Sequence, residues 1–184
     1  MTKTAFITGA SRGIGRGIAE VLAAAGFDIA FTYNTCLPEA ESLAEKIKAT
    51  GRRCFFYQAS LENPDTPEDV TSRAITDLGR LDVLVCNAGV TRFGSVRNVT
   101  AEQVDFLYGL DFRSHILCAK TAANHMIVNG IKGNIIFITS TRGIRAYPES
   151  CVYGAMKSAL NYAAESMALE LSSHGIRVNA IAPA

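Results

Sequence analysis

Apolar positions along the chain switch repeatedly between two periods. Thr4 to Thr8 is a short β-branched run that predicts a strand. From Ile14 the apolar residues Ile14, Ile18, Val21, Leu22 and Ala25 fall at helical spacing until Gly26 stops them. A second strand is predicted over Asp28 to Tyr33. A helix over Leu37 to Ala49 follows, with Ala40, Leu43, Ala44 and Ile47 on one face, and then a third strand over Cys54 to Tyr57 after the stop at Gly51. Thr66 and Pro67 open the next helix, because proline's fixed φ suits the first helical position, and Gly79 closes it. Leu81 to Cys86 is apolar almost throughout, as expected of a strand covered on both faces. A long helix is predicted over about Thr100 to Val128 and a fifth strand over Asn134 to Thr139. The longest helix spans Ser150 to Ser172, and a sixth strand Ile176 to Ile181. Strands alternating with helices of this length call for right-handed crossovers. The expected fold class is therefore α/β, a doubly wound parallel sheet between two helical layers in a three-layer αβα arrangement. No linker, repeat or low-complexity stretch divides it, so residues 1–184 are expected to form a single domain.

Composition narrows the partners. At 48% hydrophobic and 19% charged residues, the chain suits an ordinary soluble domain that buries roughly 70% of its unfolded surface. Eighteen basic against seventeen acidic residues leave a net charge of +1 with no basic stripe, so nucleic acid is not an expected partner. No apolar run approaches the roughly twenty residues of a spanning helix, so no membrane association is expected. The apolar stretch after Met1-Thr2-Lys3 stops at Gly9, too short for a signal-peptide core, which predicts a cytoplasmic setting. Five widely spaced cysteines with no CxxC, and three histidines, suggest neither a disulfide framework nor a metal site. Reduced thiols in or near the core are expected instead.

In such a sheet the chemistry lies on the loops after the strands. The first loop reads Thr8-Gly9-Ala10-Ser11-Arg12-Gly13-Ile14-Gly15. A tight turn alone would also use glycines, but between a first strand and a helix they let backbone N–H groups face a pyrophosphate. Gly9, Ser11, Arg12, Gly13, Ile14 and Gly15 are accordingly expected to bind a dinucleotide. Strand two ends in Thr32-Tyr33-Asn34-Thr35, without the acidic residue that would accept bonds from a ribose 2′-hydroxyl. Nothing there repels a 2′-phosphate, and Arg12 is available to neutralise one. NADP(H) is thus favoured over NAD(H), with Asn34 at the ribose end.

Tyr153 and Lys157 lie one helical turn apart on one face. Most such pairs are surface neighbours, but beside a dinucleotide loop they acquire a function. A tyrosine with its ordinary pKa near 10 must overcome about three units, roughly 4 kcal/mol, to act as phenolate at pH 7, and a nearby cation lowers that cost. Ser140, at the end of strand five, points a hydroxyl over the same sheet edge and is expected to hold a carbonyl oxygen, with Thr139 and Thr141 as rivals.

Together, Thr8-Gly-x3-Gly-x-Gly15, Cys86-Asn87-Ala88-Gly89, Ser140 and Tyr153-x3-Lys157 resemble the short-chain dehydrogenase/reductase family over nearly the whole chain. The resemblance implies a Rossmann-type sheet and catalytic Ser140, Tyr153 and Lys157. It implies that Lys157 also holds the nicotinamide ribose, and that Asn87, Ala88 and Gly89 border the adenosine side and steady the sheet. Hydride would pass between nicotinamide and a carbonyl carbon while Tyr153 delivers the proton. Three residues between Tyr and Lys, against six in the enoyl reductases of the superfamily, favour ketone chemistry. The loop TGASRGIG is similar to that of NADPH-dependent 3-oxoacyl-acyl-carrier-protein reductases, although sugar and small-alcohol dehydrogenases share it. The expected partner is a small-molecule or acyl-carrier-linked carbonyl compound, and the expected assembly a homotetramer built through the two long helices.

Three departures accompany the resemblance. Asp111 stands where the family has a relay asparagine, and is expected to organise a water relay while moving the pH optimum upward. Ser60 stands where many members place an adenine-contacting aspartate. Val178 to Ala184 follows the family's VNxxxPG pattern until alanine replaces glycine, so the catalytic domain is expected to lack the family's C-terminal substrate segment. A catalytically silent dinucleotide-binding sensor is the alternative reading.

Overall fold

The structure, a computed structural model, describes residues 2–184. Strands β1 (Thr4–Ile7), β2 (Asp28–Tyr33), β3 (Cys54–Gln58), β4 (Val83–Cys86), β5 (Asn134–Ile138) and β6 (Arg177–Ile181) form one sheet of order β3-β2-β1-β4-β5-β6. Every neighbouring pair is parallel. Consecutive side chains explain why these strands read as unbroken apolar runs. Phe6, Ala30, Leu84 and Phe137 enter one core, while Ile7, Phe31, Val85 and Ile138 enter the other. Helices α1 (Gly13–Ala24) and α2 (Leu37–Ala49) cover the second core with Ala19, Ala23, Leu43 and Ile47. The first is covered by α3 (Thr66–Leu78), α5 (Ser114–Val128) and α6 (Cys151–Leu171), through Val70, Ala122, Met126 and Leu160. This is the expected doubly wound αβα sandwich, with the chain reversing direction across the sheet between β1 and β4.

Two expectations are refined. The helical stretch expected over Thr100 to Val128 is present and carries a π turn, Gly109–Arg113, between α4 (Ala101–Tyr108) and α5. A residue added to one turn leaves the flanking apolar spacing intact, so the sequence pattern does not register it. Asp111 lies within this turn and is completely buried. Thr100 and Gln103 form a reciprocal capping box that begins α4. The thiols also divide. Cys54, Cys86 and Cys118 are buried, but Cys36 is half-buried and Cys151 is exposed at the first position of α6. Burial pushes the Cys54 and Cys118 thiols up to about 12, which leaves them unreactive. No helix of the described residues is long and apolar enough to cross a membrane.

His115 on α5 is buried and stacked on Phe137, with ring centroids 6.3 Å apart, and its Nε2 has no hydrogen-bond partner. Burial, then the charge of Lys157, holds its imidazole well below the usual range, against a smaller opposing contribution from Leu110. The unfolded chain therefore takes up a proton that the folded chain refuses. Stability contributed by neutral His115 is complete above about pH 6.5 and falls as the pH drops below that, by about 1.4 kcal/mol per pH unit for the single proton. Urea unfolding between pH 7.5 and 5 is expected to show a shallower decline in His115→Leu than in the wild type.

Candidate active site

The carboxyl ends of β1, β2, β4 and β5 open into one cavity of about 890 Å³. Its first wall is the loop between β1 and α1. Asn87, just past β4, fixes that loop: its Nδ2 donates to the carbonyls of Thr8 and Gly9, both at 2.9 Å. In return the Thr8 hydroxyl oxygen accepts from the N–H groups of Asn87 and Ala88, and the Thr32 hydroxyl oxygen accepts from Gly9 N at 2.9 Å. Gly15 does not reach the cavity. A Cβ there would stand 2.5 Å from Asn87 Nδ2, so its glycine serves the packing of loop on strand. Gly9, Ser11, Arg12, Gly13 and Ile14 do line the cavity. No side chain caps the start of α1, so its first-turn N–H groups are free to meet an anion.

The same wall continues to Asn34 and Cys36 beyond β2, with no carboxylate at the strand end. Ser60 lies behind, its hydroxyl 3.5 Å from Asn34 Oδ1, and does not line the cavity. Arg12 has no ion-pair partner among the described residues.

The opposite wall holds Ser140, Tyr153, Lys157, Asp111, Ala88 and Gly89. Ser140 lies two residues past the end of β5 and caps a short 3-10 turn, Thr141–Gly143, accepting from Arg142 N at 3.2 Å. That bond uses one lone pair and leaves its O–H free to donate into the cavity. Thr139 also borders the cavity, but its hydroxyl is directed to the Ile181 carbonyl, and Thr141 does not border it. Tyr153 and Lys157, near the start of α6, are both almost buried, with the Lys157 ammonium 5.6 Å from the Tyr153 ring centroid and over its face.

Lys157 is not a lone cation. Its Nζ donates to the Ile138 carbonyl at 3.3 Å and lies 3.0 Å from Asp111 Oδ1, where lysine and aspartate are 3% and 0% exposed. The contact has ion-pair distance without hydrogen-bond alignment, since Oδ1 has no directed partner, while Oδ2 accepts from Val90 N at 3.3 Å. Burial pushes the Asp111 carboxyl above the ordinary carboxylate range, although Lys157 and the Val90 N–H act in the other direction. Gly89 is part of this arrangement: a Cβ there would lie 2.5 Å from Asp111 Oδ1 and 3.3 Å from Lys157 Nζ.

The structure thus brings all the sequence-derived site residues except Gly15 to one cavity. It adds some that sequence reasoning missed. Arg92, Phe93 and Arg142 line the cavity beside Tyr153, and nothing in their spacing distinguishes them from ordinary loop residues. No cluster of three or more potential metal ligands occurs among the described residues.

The family model described as short chain dehydrogenase matches residues 3–184. A 3-oxoacyl-acyl-carrier-protein reductase of Staphylococcus aureus is 37% identical over 183 residues, covering 100% of this chain and 74% of that protein. Acetoin dehydrogenase from Salmonella typhimurium superposes with a TM-score of 0.97 at 38% identity, over 100% of this chain and 72% of that one. A short chain dehydrogenase from Burkholderia cenocepacia, solved in complex with NADP, gives a TM-score of 0.93 at 34% identity, over 98% and 73% of the two chains.

Proposed function

The chain belongs to the short-chain dehydrogenase/reductase family of oxidoreductases, and from that premise we propose that it interconverts a ketone and a secondary alcohol with NADP(H). The observation that carries this reading is the meeting of Tyr153 and Lys157 with the β1 loop in one cavity. The donor set suits the cofactor. Backbone N–H groups at the start of α1 would hold the pyrophosphate. Arg12, with the neutral Asn34 beside it, would hold a 2′-phosphate, and Lys157 the nicotinamide ribose. When bound, the reduced nicotinamide supplies the hydride that the carbonyl carbon accepts.

The protein's own groups manage charge and protons. The Ser140 O–H would donate to the carbonyl oxygen, which becomes more basic as the carbon is reduced. Tyr153 would give that oxygen its proton, or take it back in the oxidative direction. Lys157 sets its positive charge over the ring face, and Asp111 is paired with that cation. Asp111 and the opened π turn would also carry the relay that resupplies protons.

Within this class, 3-oxoacyl-acyl-carrier-protein reduction is the finer reading we favour, on the similarity to the Staphylococcus aureus enzyme. Acetoin dehydrogenase among the structural neighbours supports the small-alcohol alternative. The reading carries with it a cytoplasmic setting and a homotetramer, the latter supported by exposed Tyr162 and Leu169 on α6 and Val128 on α5. A panel of ketones, including 3-oxoacyl thioesters, assayed with NADPH and NADH side by side tests the proposal. Turnover with NADPH at ten or more times the kcat/KM of NADH is expected. Absence of turnover across the panel, with binding of the dinucleotide retained, would instead support the silent sensor.

A further inference from the structure

Beside Tyr153 lies an arginine whose guanidinium is held in place yet left without a polar partner. Arg142 sits in the turn between β5 and α6. Its N–H is fixed by Ser140 Oγ, and its carbonyl lies so close to α6 that a Cβ at Gly154 would come within 2.8 Å of it. The guanidinium carbon is 4.3 Å from the centroid of Phe93 and 4.6 Å from that of Tyr147. Phe93 in turn meets the Tyr153 ring edge to face, with centroids 6.5 Å apart at 88°. One phenyl ring therefore separates the guanidinium from the phenol.

Stacking holds a guanidinium by its faces and leaves its N–H edge outward, in the geometry that takes two oxygens of an anion. No described carboxylate occupies that edge, since Arg142 makes no ion pair and no side-chain hydrogen bond. Arg92 lines the same part of the cavity, also without a carboxylate partner and seated on Phe106 at 4.1 Å. Apart from its arginines, the charged residues lining the cavity are Lys157, which is paired with Asp111, and Glu62. The substrate end is left with a net positive field that a neutral ketone would not use.

Resting on the ketone-reduction reading, we infer that Arg142 selects substrates carrying an anionic oxygen group, a carboxylate or a phosphate, in the same molecule as the reacting carbonyl. Arg92 supports it by adding positive potential at the same mouth. The two rings that Arg142 packs against serve to orient it, and the anion completes the set of contacts that the protein leaves open.

The test compares matched pairs with NADPH: pyruvate, acetoacetate, levulinate and 5-oxohexanoate, each against its methyl ester, and hydroxyacetone phosphate against hydroxyacetone. At least one anion is expected to exceed its neutral partner in kcat/KM by about thirtyfold, the worth of a charge-assisted bidentate contact. In Arg142→Gln the ratio is expected to collapse toward unity, and in Arg142→Lys to recover in part. A preference among the carboxylates identifies an oxo acid, and one confined to hydroxyacetone phosphate identifies a phosphate ester. If the wild type reduces neutral and anionic partners equally, or if its preference survives Arg142→Gln, the inference is overturned while ketone reduction stands. If nothing is reduced, that broader reading fails, and binding decides the inference. Levulinate and inorganic phosphate, titrated by calorimetry onto the NADP-loaded protein, must then show at least one interaction that Arg142→Gln weakens tenfold or more. Should neither do so, the arginine has no such role.

Discussion

Replacing Tyr153 by phenylalanine is expected to lower kcat by about a thousandfold or more while leaving cofactor affinity within a few fold. The phenol oxygen is the proposed proton donor, and a positioned general acid contributes roughly 10²–10⁴ in rate. The ring itself also packs, since Tyr153 is nearly buried and meets Phe93 edge to face. Phenylalanine keeps that packing and removes only the hydroxyl, so the loss reports chemistry rather than unfolding. Steady-state kinetics on the best ketone of the panel, with NADPH binding followed by fluorescence, separate the two. A variant retaining more than a tenth of wild-type kcat would remove Tyr153 from the mechanism.

Lys157→Met is expected to be costly for a second reason, because it strands the carboxylate of Asp111. Breaking a fully buried ion pair from one side destabilises by about 3–5 kcal/mol, and here both partners are inaccessible. The sign with pH follows from the direction of the Asp111 shift. The folded chain already holds this carboxyl's proton more tightly than the unfolded chain, whose value is near 3.9. Stability from that proton is therefore complete below about pH 4 and lost as the pH rises through the folded value. Without the lysine, which acts to lower this carboxyl's value, the loss extends to higher pH, so Lys157→Met should be least impaired in acid and most impaired at pH 8. The double variant Lys157→Met/Asp111→Leu should recover most of the stability in urea melts, yet no activity. Asp111→Asn alone keeps the shape and removes the opposing charge. In that variant the rise of alcohol oxidation with pH is expected to move toward acid. An unchanged profile would show that Asp111 does not moderate the Lys157 field.

These two positions also mark where the sequence stops being informative. Tyr153 and Lys157 are four residues apart on one helix, so their side chains share a face whatever surrounds them. The glycine loop and Asn87 are similarly legible, because a strand, a turn and a helix follow in order and the loop's backbone demands are local. Asp111 is different. Its meeting with Lys157 joins elements 46 residues apart and depends on a π turn that leaves the apolar spacing of α4 and α5 undisturbed. The strand boundary at Val83 was hidden in the same manner. Leu81 reads as strand, but β4 begins at Val83, and the Asp82 carboxylate just before it accepts from Thr4 N at 3.0 Å and pairs with Arg80. Arg142 lay beyond reach too, since the rings that hold it come from two separate loops.

The close approach of Gly89 to Asp111 couples substitutions at the two positions. Alanine at position 89 meets the carboxylate oxygen head-on while aspartate stands at 111, but a shorter residue such as serine at 111 would leave space for the methyl. The two sites are thus epistatic, and neither order avoids a damaged intermediate: alanine at 89 meets the carboxylate, whereas serine at 111 leaves the buried Lys157 ammonium without its partner. Libraries that randomise the loop after β4 without also varying position 111 would discard sequences the fold can accommodate.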